Sequence, residues 1–174
     1  SSKLFTENLI KNYEKNKKMI IARFSNFYGP GQPMYRLIPK IILSIKKRIR
    51  FPLHGNGSSK RNYIFSEDFC EGIYTIIQKG LTGSTYHFSN ESLYSVKDVI
   101  NKTCKLMNVS YKKTVFLEKD RTGKDNIYKL ACKKTKKELN WKCRVNLDTG
   151  IKKMLDYINN NYKNIKNEKM IFKI

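Results

Sequence analysis

The 174-residue chain is poor in the residues that build metal centres and disulfide scaffolds: four cysteines, none in a C-x-x-C pair, and two histidines, His54 and His87. That set gives neither the ligand spacing of a zinc site nor the dense cysteine framework of a small secreted domain, so free thiols and no metal are expected. Acidic residues are scarce too, 14 against 36 lysines and arginines, which leaves a formal net charge of +22. Arginine supplies only 7 of those 36 cations. Proteins that read bases lean on the arginine fork, and single-strand binders interleave cations with stacking aromatics; neither pattern is present. The lysines are spread through every segment beside abundant Asn and Ile. These three residues share AT-rich codons, so the charge reads as a solvated surface rather than a nucleic-acid footprint. No run reaches the roughly 18 apolar residues of a membrane span, and the first residues lack the basic-then-apolar order of a signal peptide. A cytoplasmic protein with neither a nucleic-acid nor a membrane partner is expected.

What is present suits one sizeable core: 40% of the residues are hydrophobic and 12% aromatic. Leu4, Phe5, Leu9 and Ile10 recur at helical spacing and predict a helix over 4–14, and Lys17–Phe24, with its apolar run Met19-Ile20-Ile21-Ala22, predicts a strand covered on both faces. Residues 23–30, R-F-S-N-F-Y-G-P, end that strand in a polar, turn-forming mouth. Beyond Gly29-Pro30-Gly31, the spacing of Leu37, Ile38, Ile41, Ile42 and Ile45 predicts a helix as far as Lys47. Extended pieces follow at 49–53, 63–65 and 85–88, with a helix over 67–79 that Ser66 caps and Gly80 ends. Ser95-Val96-Lys97-Asp98 has the form of a capping box, Asp replacing Glu, and opens a helix to Met107. Residues 112–118 and 127–131 read as extended, 133–139 as a short helix and 148–162 as a final helix. The Asn- and Lys-rich stretch 159–169 is expected to fray, leaving Met170, Ile171 and Phe172 as apolar residues able to pack. Strands alternating with helices make the chain α/β.

Three cations stand in loops rather than on helix faces. Arg61 follows the loop at 55–59, and Arg121 and Lys124 flank Gly123 in a second loop. A guanidinium grips a phosphate through two parallel hydrogen bonds, so two such loops suit a diphosphate; taken singly, each residue is equally a solvated surface cation.

Several motifs occur together in a fixed order: Lys3 after two small residues, the 23–30 stretch, R-L-I-P at 36–39, H-G-N-G-S-S-K-R-N-Y-I-F-S-E-D at 54–68, Y-H-F-S-N at 86–90, D-R-T-G-K-D at 120–125 and K-E-L-N-W at 137–141. In this order and spacing the chain resembles the C-terminal half of the extended short-chain dehydrogenase/reductases that act on nucleotide sugars, most of all the dTDP-glucose 4,6-dehydratases. The resemblance runs to about residue 162.

It implies a partial NAD-binding Rossmann-like sheet plus the smaller α/β substrate-binding domain. Residues 1–27 would be the remnant of the cofactor domain, 28–162 the nucleotide-sugar region with some elements returning to the first sheet, and 163–174 a basic tail. NAD is the implied cofactor, a nucleotide sugar the substrate, and a homodimer the assembly of the full-length protein. Lys3 would be the lysine of a Y-x-x-x-K motif, contacting the nicotinamide ribose and lowering the pKa of a tyrosine two residues before Ser1. Neither that tyrosine nor the glycine-rich pyrophosphate turn is in the sequence, so the chain alone is expected to be inactive. Ser25 would approach the cofactor, Asn26 the sugar nucleotide, Arg36 and Leu37 the nucleotide, and Pro52 the base. Arg61 and Arg121 would hold the diphosphate, with Lys124 where relatives often carry histidine. Two departures stand out: the common R-D-[WFY] is Arg61-Asn62-Tyr63, and D-R-P-G is D-R-T-G. Asp68 is expected to serve its helix rather than the chemistry. A 4-epimerase or a UDP-glucuronate decarboxylase of the same family remains the neighbouring reading, and a non-catalytic basic nucleic-acid-binding module the reading from another class.

Overall fold

A computed structural model of the chain describes residues 2–13, 19–119 and 125–171. The order of elements is α1 (Ser2–Tyr13), β1 (Ile21–Phe24), β2 (Asn26–Tyr28), α2 (Leu37–Lys46), β3 (Phe51–His54), β4 (Lys60–Arg61), β5 (Tyr63–Phe65), α3 (Ser66–Lys79) and β6 (Thr85–Phe88). It continues with β7 (Tyr94–Ser95), α4 (Val96–Leu106), α5 (Tyr111–Thr114), β8 (Val115–Glu118), β9 (Ile127–Tyr128), α6 (Lys133–Leu139), α7 (Leu147–Asn160) and α8 (Tyr162–Ile165). The fold is α/β, and most of its strand pairs are parallel.

Two changes of strand partner organise the molecule. β1 runs parallel to β6, with Ile21 opposite Thr85 and Phe24 opposite Phe88. The Ser25 N–H still donates to the Phe88 carbonyl at 3.0 Å, but from Asn26 onward the chain pairs with β5, Asn26 lying opposite Tyr63. The second change falls at Asn62. Before it, β4 lies between antiparallel β7 and parallel β9; after it, β5 pairs with β2. β3 and β8 form a separate parallel pair. Among the described residues β1 pairs on one side only.

The larger core lies where α2, α4 and α7 meet. Ile38, Ile41, Ile42, Val99, Ile100, Ile151, Met154 and Ile158 are each no more than 2% exposed there. Each such side chain contributes about 1.5–3 kcal/mol of burial. Gly150 lets α7 approach Tyr28: a Cβ at that position would stand 2.0 Å from the Tyr28 hydroxyl oxygen. The smaller core gathers Ile64, Ile76, Tyr86, Phe88, Leu139 and Trp141. α3 closes over it at Gly72, where a Cβ would come within 2.7 Å of the Phe88 ring. α1 has no buried residue. It is tied to β1 by Arg23, whose Nε donates to Glu7 Oε1 at 2.9 Å while Nη2 pairs with Oε2.

The capping box is present: the Asp98 N–H donates to Ser95 Oγ at 3.0 Å, and the Ser95 N–H to Asp98 Oδ2 at 2.8 Å. Several sequence expectations need correction. The strand expected within 17–24 spans Ile21–Phe24, but only Ile21 in it is buried, because β1 has one strand neighbour among the described residues and is not covered all round. Ser66 does not cap α3. It is that helix's first residue, with Phe65 at the cap position and no side-chain cap bond, and its hydroxyl lies close to Gly29. Residues 111–114 form a helical turn ahead of β8, and the strand expected over 127–131 is only two residues long. The stretch expected to fray is helical to Ile165. Ile165 is 5% exposed, and Lys46 reaches Asn159 Oδ1 at 2.6 Å and the Tyr162 ring at 4.7 Å. Of the three apolar residues expected to pack, Met170 does so on the larger core, Ile171 is exposed, and Phe172 lies outside the described residues.

Candidate functional site

Strands that part company leave a crevice between them, and in open α/β sheets such a switch point is where ligands sit. Here the parting at Ser25 opens a cleft of about 730 Å³. Six of the sequence-chosen residues line it: Lys3 from α1, Ser25 and Asn26 from the β1–β2 junction, Arg36 and Leu37 from the start of α2, and Arg61 from β4. Pro52 lies instead in an adjoining pocket of about 260 Å³ with Phe51, Leu53 and His54. The two spaces share Tyr35, Leu37 and Val96 as a common wall, so they lie side by side. Arg121 and Lys124 lie outside the described residues.

The wall has a distinct chemistry. Lys3, Arg36 and Arg61 bring three cations, and its described residues include no carboxylate or imidazole. The Arg61 guanidinium meets only backbone carbonyls among the described residues: Nη2 donates to Asp125 at 3.3 Å and Nη1 to Lys60 at 3.5 Å. Contacts that long are weak and leave most of its donors for a ligand. Arg36 is exposed at the amino end of α2, its guanidinium carbon 5.4 Å from the Tyr35 ring centre. Asn26 is exposed and offers both a donor and an acceptor. Ser25 is 4% exposed, yet its Oγ has no hydrogen-bond partner. A buried hydroxyl left unmet in the wall of a cleft is open to a ligand group or a water.

Aromatic residues that the sequence reading did not select complete the wall. Phe24, Phe27 and Phe69 form a stack, with Phe69 4.2 Å from Phe24 and 4.9 Å from Phe27 between ring centres. Tyr28 and Tyr63 also line the cleft, and burial pushes both phenols up, Tyr63 to about 12, so both stay protonated at neutral pH. No local pattern points to Phe69, because it reaches the cleft from α3, forty-odd residues beyond Phe24. Asp68 does not line the cleft. It is 2% exposed, and its carboxylate accepts the N–H groups of Arg144 and Val145, both at 2.9 Å, and the Cys143 thiol at 3.1 Å. Asp68 is therefore structural rather than catalytic, but it anchors the segment leading into α7 in addition to standing in the first turn of α3, where its service was expected. Cations, an amide, a hydroxyl and an aromatic wall together suit an anionic ligand that also presents hydroxyl groups.

Comparison with known proteins agrees with this geometry. A family model described as GDP-mannose 4,6 dehydratase matches residues 1–154. A trifunctional UDP-glucose 4,6-dehydratase/UDP-4-keto-6-deoxy-D-glucose 3,5-epimerase/UDP-4-keto-L-rhamnose-reductase of Arabidopsis thaliana is 34% identical over 143 residues, 82% of this chain and 21% of that protein. A probable dTDP-glucose 4,6-dehydratase of Sinorhizobium fredii is 32% identical over 145 residues, 80% of this chain and 41% of that protein. The chain thus spans less than half the length of these relatives. Among solved structures, the dTDP-glucose 4,6-dehydratase of Bacillus anthracis in complex with NAD superposes with a TM-score of 0.84 at 24% identity, over 90% of this chain and 50% of that one. The UDP-glucose 4-epimerase of Thermotoga maritima with UDP-glucose gives 0.84 at 19%, over 91% and 52%. These likenesses show the fold, and the family match together with the cleft shows that the chain belongs to the GDP-mannose 4,6-dehydratase family of extended short-chain dehydrogenase/reductases.

Proposed function

We propose that this chain is the substrate-side part of an NAD-dependent nucleotide-sugar 4,6-dehydratase. The observation that carries the reading is the meeting of Lys3, Ser25, Asn26, Arg36, Leu37 and Arg61 in one cleft, although they are spread over nearly sixty residues of sequence. Arg61 holds the diphosphate through its free donors, with Arg121 and Lys124 adding charge as the sequence suggests. Asn26 bonds sugar hydroxyls, and Arg36 and Leu37 flank the nucleotide on its way to a base beside Pro52. The unmet Ser25 hydroxyl, with Lys3 on the same wall, fits the nicotinamide end of NAD. Bound there, that group supplies a hydride acceptor for the sugar C4 and a donor for C6. Lys3 offers a ribose hydroxyl a cationic hydrogen bond, and the aromatic stack keeps water from the reacting end of the sugar. These residues bind and orient, so the 174-residue chain alone is expected to give no 4-keto-6-deoxy product.

A 4-epimerase would use the same diphosphate and nucleotide contacts; the dehydratase reading is preferred because the family model and both relatives above carry that activity in their names. The test is calorimetric titration of the chain with dTDP. Arg61→Ala should weaken binding by about 10-fold or more, the loss of a charge-assisted contact. Equal affinity of the variant and the wild type would remove Arg61 from the diphosphate site.

A further inference from the structure

Arg61 and Tyr63 face the cleft, and Asn62 between them does not, as the alternation of an extended chain requires. Asn62 points inward and is 0% exposed. Both ends of its amide are used: Nδ2 donates to the Ser92 carbonyl at 2.9 Å, and Oδ1 accepts the Leu130 N–H at 3.0 Å. Ser92 belongs to the connection between β6 and β7, and Leu130 follows β9. One side chain therefore ties together the segments that bring both neighbours of β4 into place. It does so at the residue where the chain leaves β4 for its pairing with β2.

We infer that Asn62 is a positioning residue for the anion-binding arm of the cleft: its two amide bonds fix the backbone at the change of strand partner, where Arg61 is aimed into the cleft while Tyr63 pairs with the strand carrying Asn26. This rests on the reading that Arg61 holds a diphosphate. The guanidinium's own anchors are weak, at 3.3 and 3.5 Å, so its direction is set by the backbone that bears it. The donor end is what makes asparagine the fitting residue. An aspartate would turn a second acceptor, and a buried charge, against the Ser92 carbonyl. The departure from the R-D-[WFY] pattern is thus matched by a carbonyl placed to receive the amide. A junction held from inside also presents Arg61 to an incoming diphosphate already aimed, which lowers the ordering cost of binding.

The test titrates the full chain with dTDP at several salt concentrations, comparing wild type with Asn62→Ala, Arg61→Ala and the double variant. Asn62→Ala should lose about 10-fold in affinity, comparable to Arg61→Ala. Its salt dependence should flatten toward that of Arg61→Ala, because a guanidinium that no longer reaches the phosphates releases no counterion. The double variant should bind no more weakly than Arg61→Ala, since both changes remove one contact. A merely structural role would lower the fraction of competent protein, leave the salt slope at the wild-type value and add to the Arg61→Ala loss; that result overturns the inference. If Arg61→Ala binds dTDP like wild type, the diphosphate reading fails instead. A second measurement needs no variant: the Arg61 Nε–H resonance of the ligand-free wild type should be that of an ordered group, and a freely averaging signal overturns the positioning role.

Discussion

Replacing Asp68 with alanine should be among the most damaging single changes in the molecule, and its size follows from the bonds it removes. Three donors converge on that carboxylate: two backbone N–H groups at 2.9 Å and the Cys143 thiol at 3.1 Å. A hydrogen bond to a charged acceptor contributes about 1.5–3 kcal/mol net, and the thiol, a weak donor, contributes less. Arg144 is exposed, so its N–H recovers water in the variant; Val145 is half-buried and recovers less. The expected loss is about 3–4 kcal/mol, a large share of the roughly 5–15 kcal/mol that holds a domain folded. In a thermal melt this corresponds to a fall in Tm of about 6–16 °C for a chain of this size. A chemical signature accompanies it. Burial, and then the bond to Asp68, push the Cys143 thiol up to about 12, which keeps it unreactive. Without Asp68 the segment loosens, and Cys143 should alkylate faster than in wild type, with exposed Cys70 as the internal standard. A Tm within 2 °C of wild type in this variant, or unchanged Cys143 labelling, would refute the anchoring argument.

Two further outcomes follow from buried neighbours. Burial holds His87 below the ordinary histidine range, and its Nδ1 lies 3.2 Å from the Ala131 carbonyl while Nε2 lies 3.1 Å from Arg23 Nη1, an arrangement that needs a neutral ring with the proton on Nδ1. Because the folded state resists protonation, this contribution is present above pH about 6.5 and fades as pH falls below it; urea midpoints of wild type and His87→Gln should differ in slope between about pH 7 and 5, and parallel curves would count against it. Gly150→Ala gains about 1 kcal/mol in helix propensity but forces a methyl to within 2.0 Å of the Tyr28 oxygen, so a net destabilisation of about 1–2 kcal/mol is expected in denaturant unfolding, and a more stable variant would show that Tyr28 moves aside freely.

Elements coded by neighbouring residues were legible. The Ser95–Asp98 box is a local exchange of two hydrogen bonds, and α2 declares itself through five apolar residues at one spacing. What failed was decided from far away. Ser66 has the right chemistry for a cap, but the helix starts at Ser66 itself, which places it one residue too late to cap, and its hydroxyl packs close to Gly29, nearly forty residues earlier. Residues 159–165 look too polar to hold a helix, yet Lys46 and the larger core hold them. The turn at 111–114 is too short to show a period. The site divides in the same way. Motif order named Lys3, Asn26 and Arg61, but only the change of partner at Ser25 brings them to one cleft, and Asn62 stood in the sequence as a departure without a reason.

Among the described residues β1 has a strand neighbour on one side only, and for this chain that gives the surface charge a physical task. A strand with free N–H and C=O groups along one edge is a template for a second copy, and proteins commonly guard such edges with lysine. Two copies of this chain approaching edge to edge must each carry a net charge of +22 into contact, a repulsion that reaches about 10 Å at 0.1 M salt and only about 3 Å at 1 M. The lysines would thus act as a colloidal brake on self-association at this edge, and ionic strength sets how firmly that brake is applied.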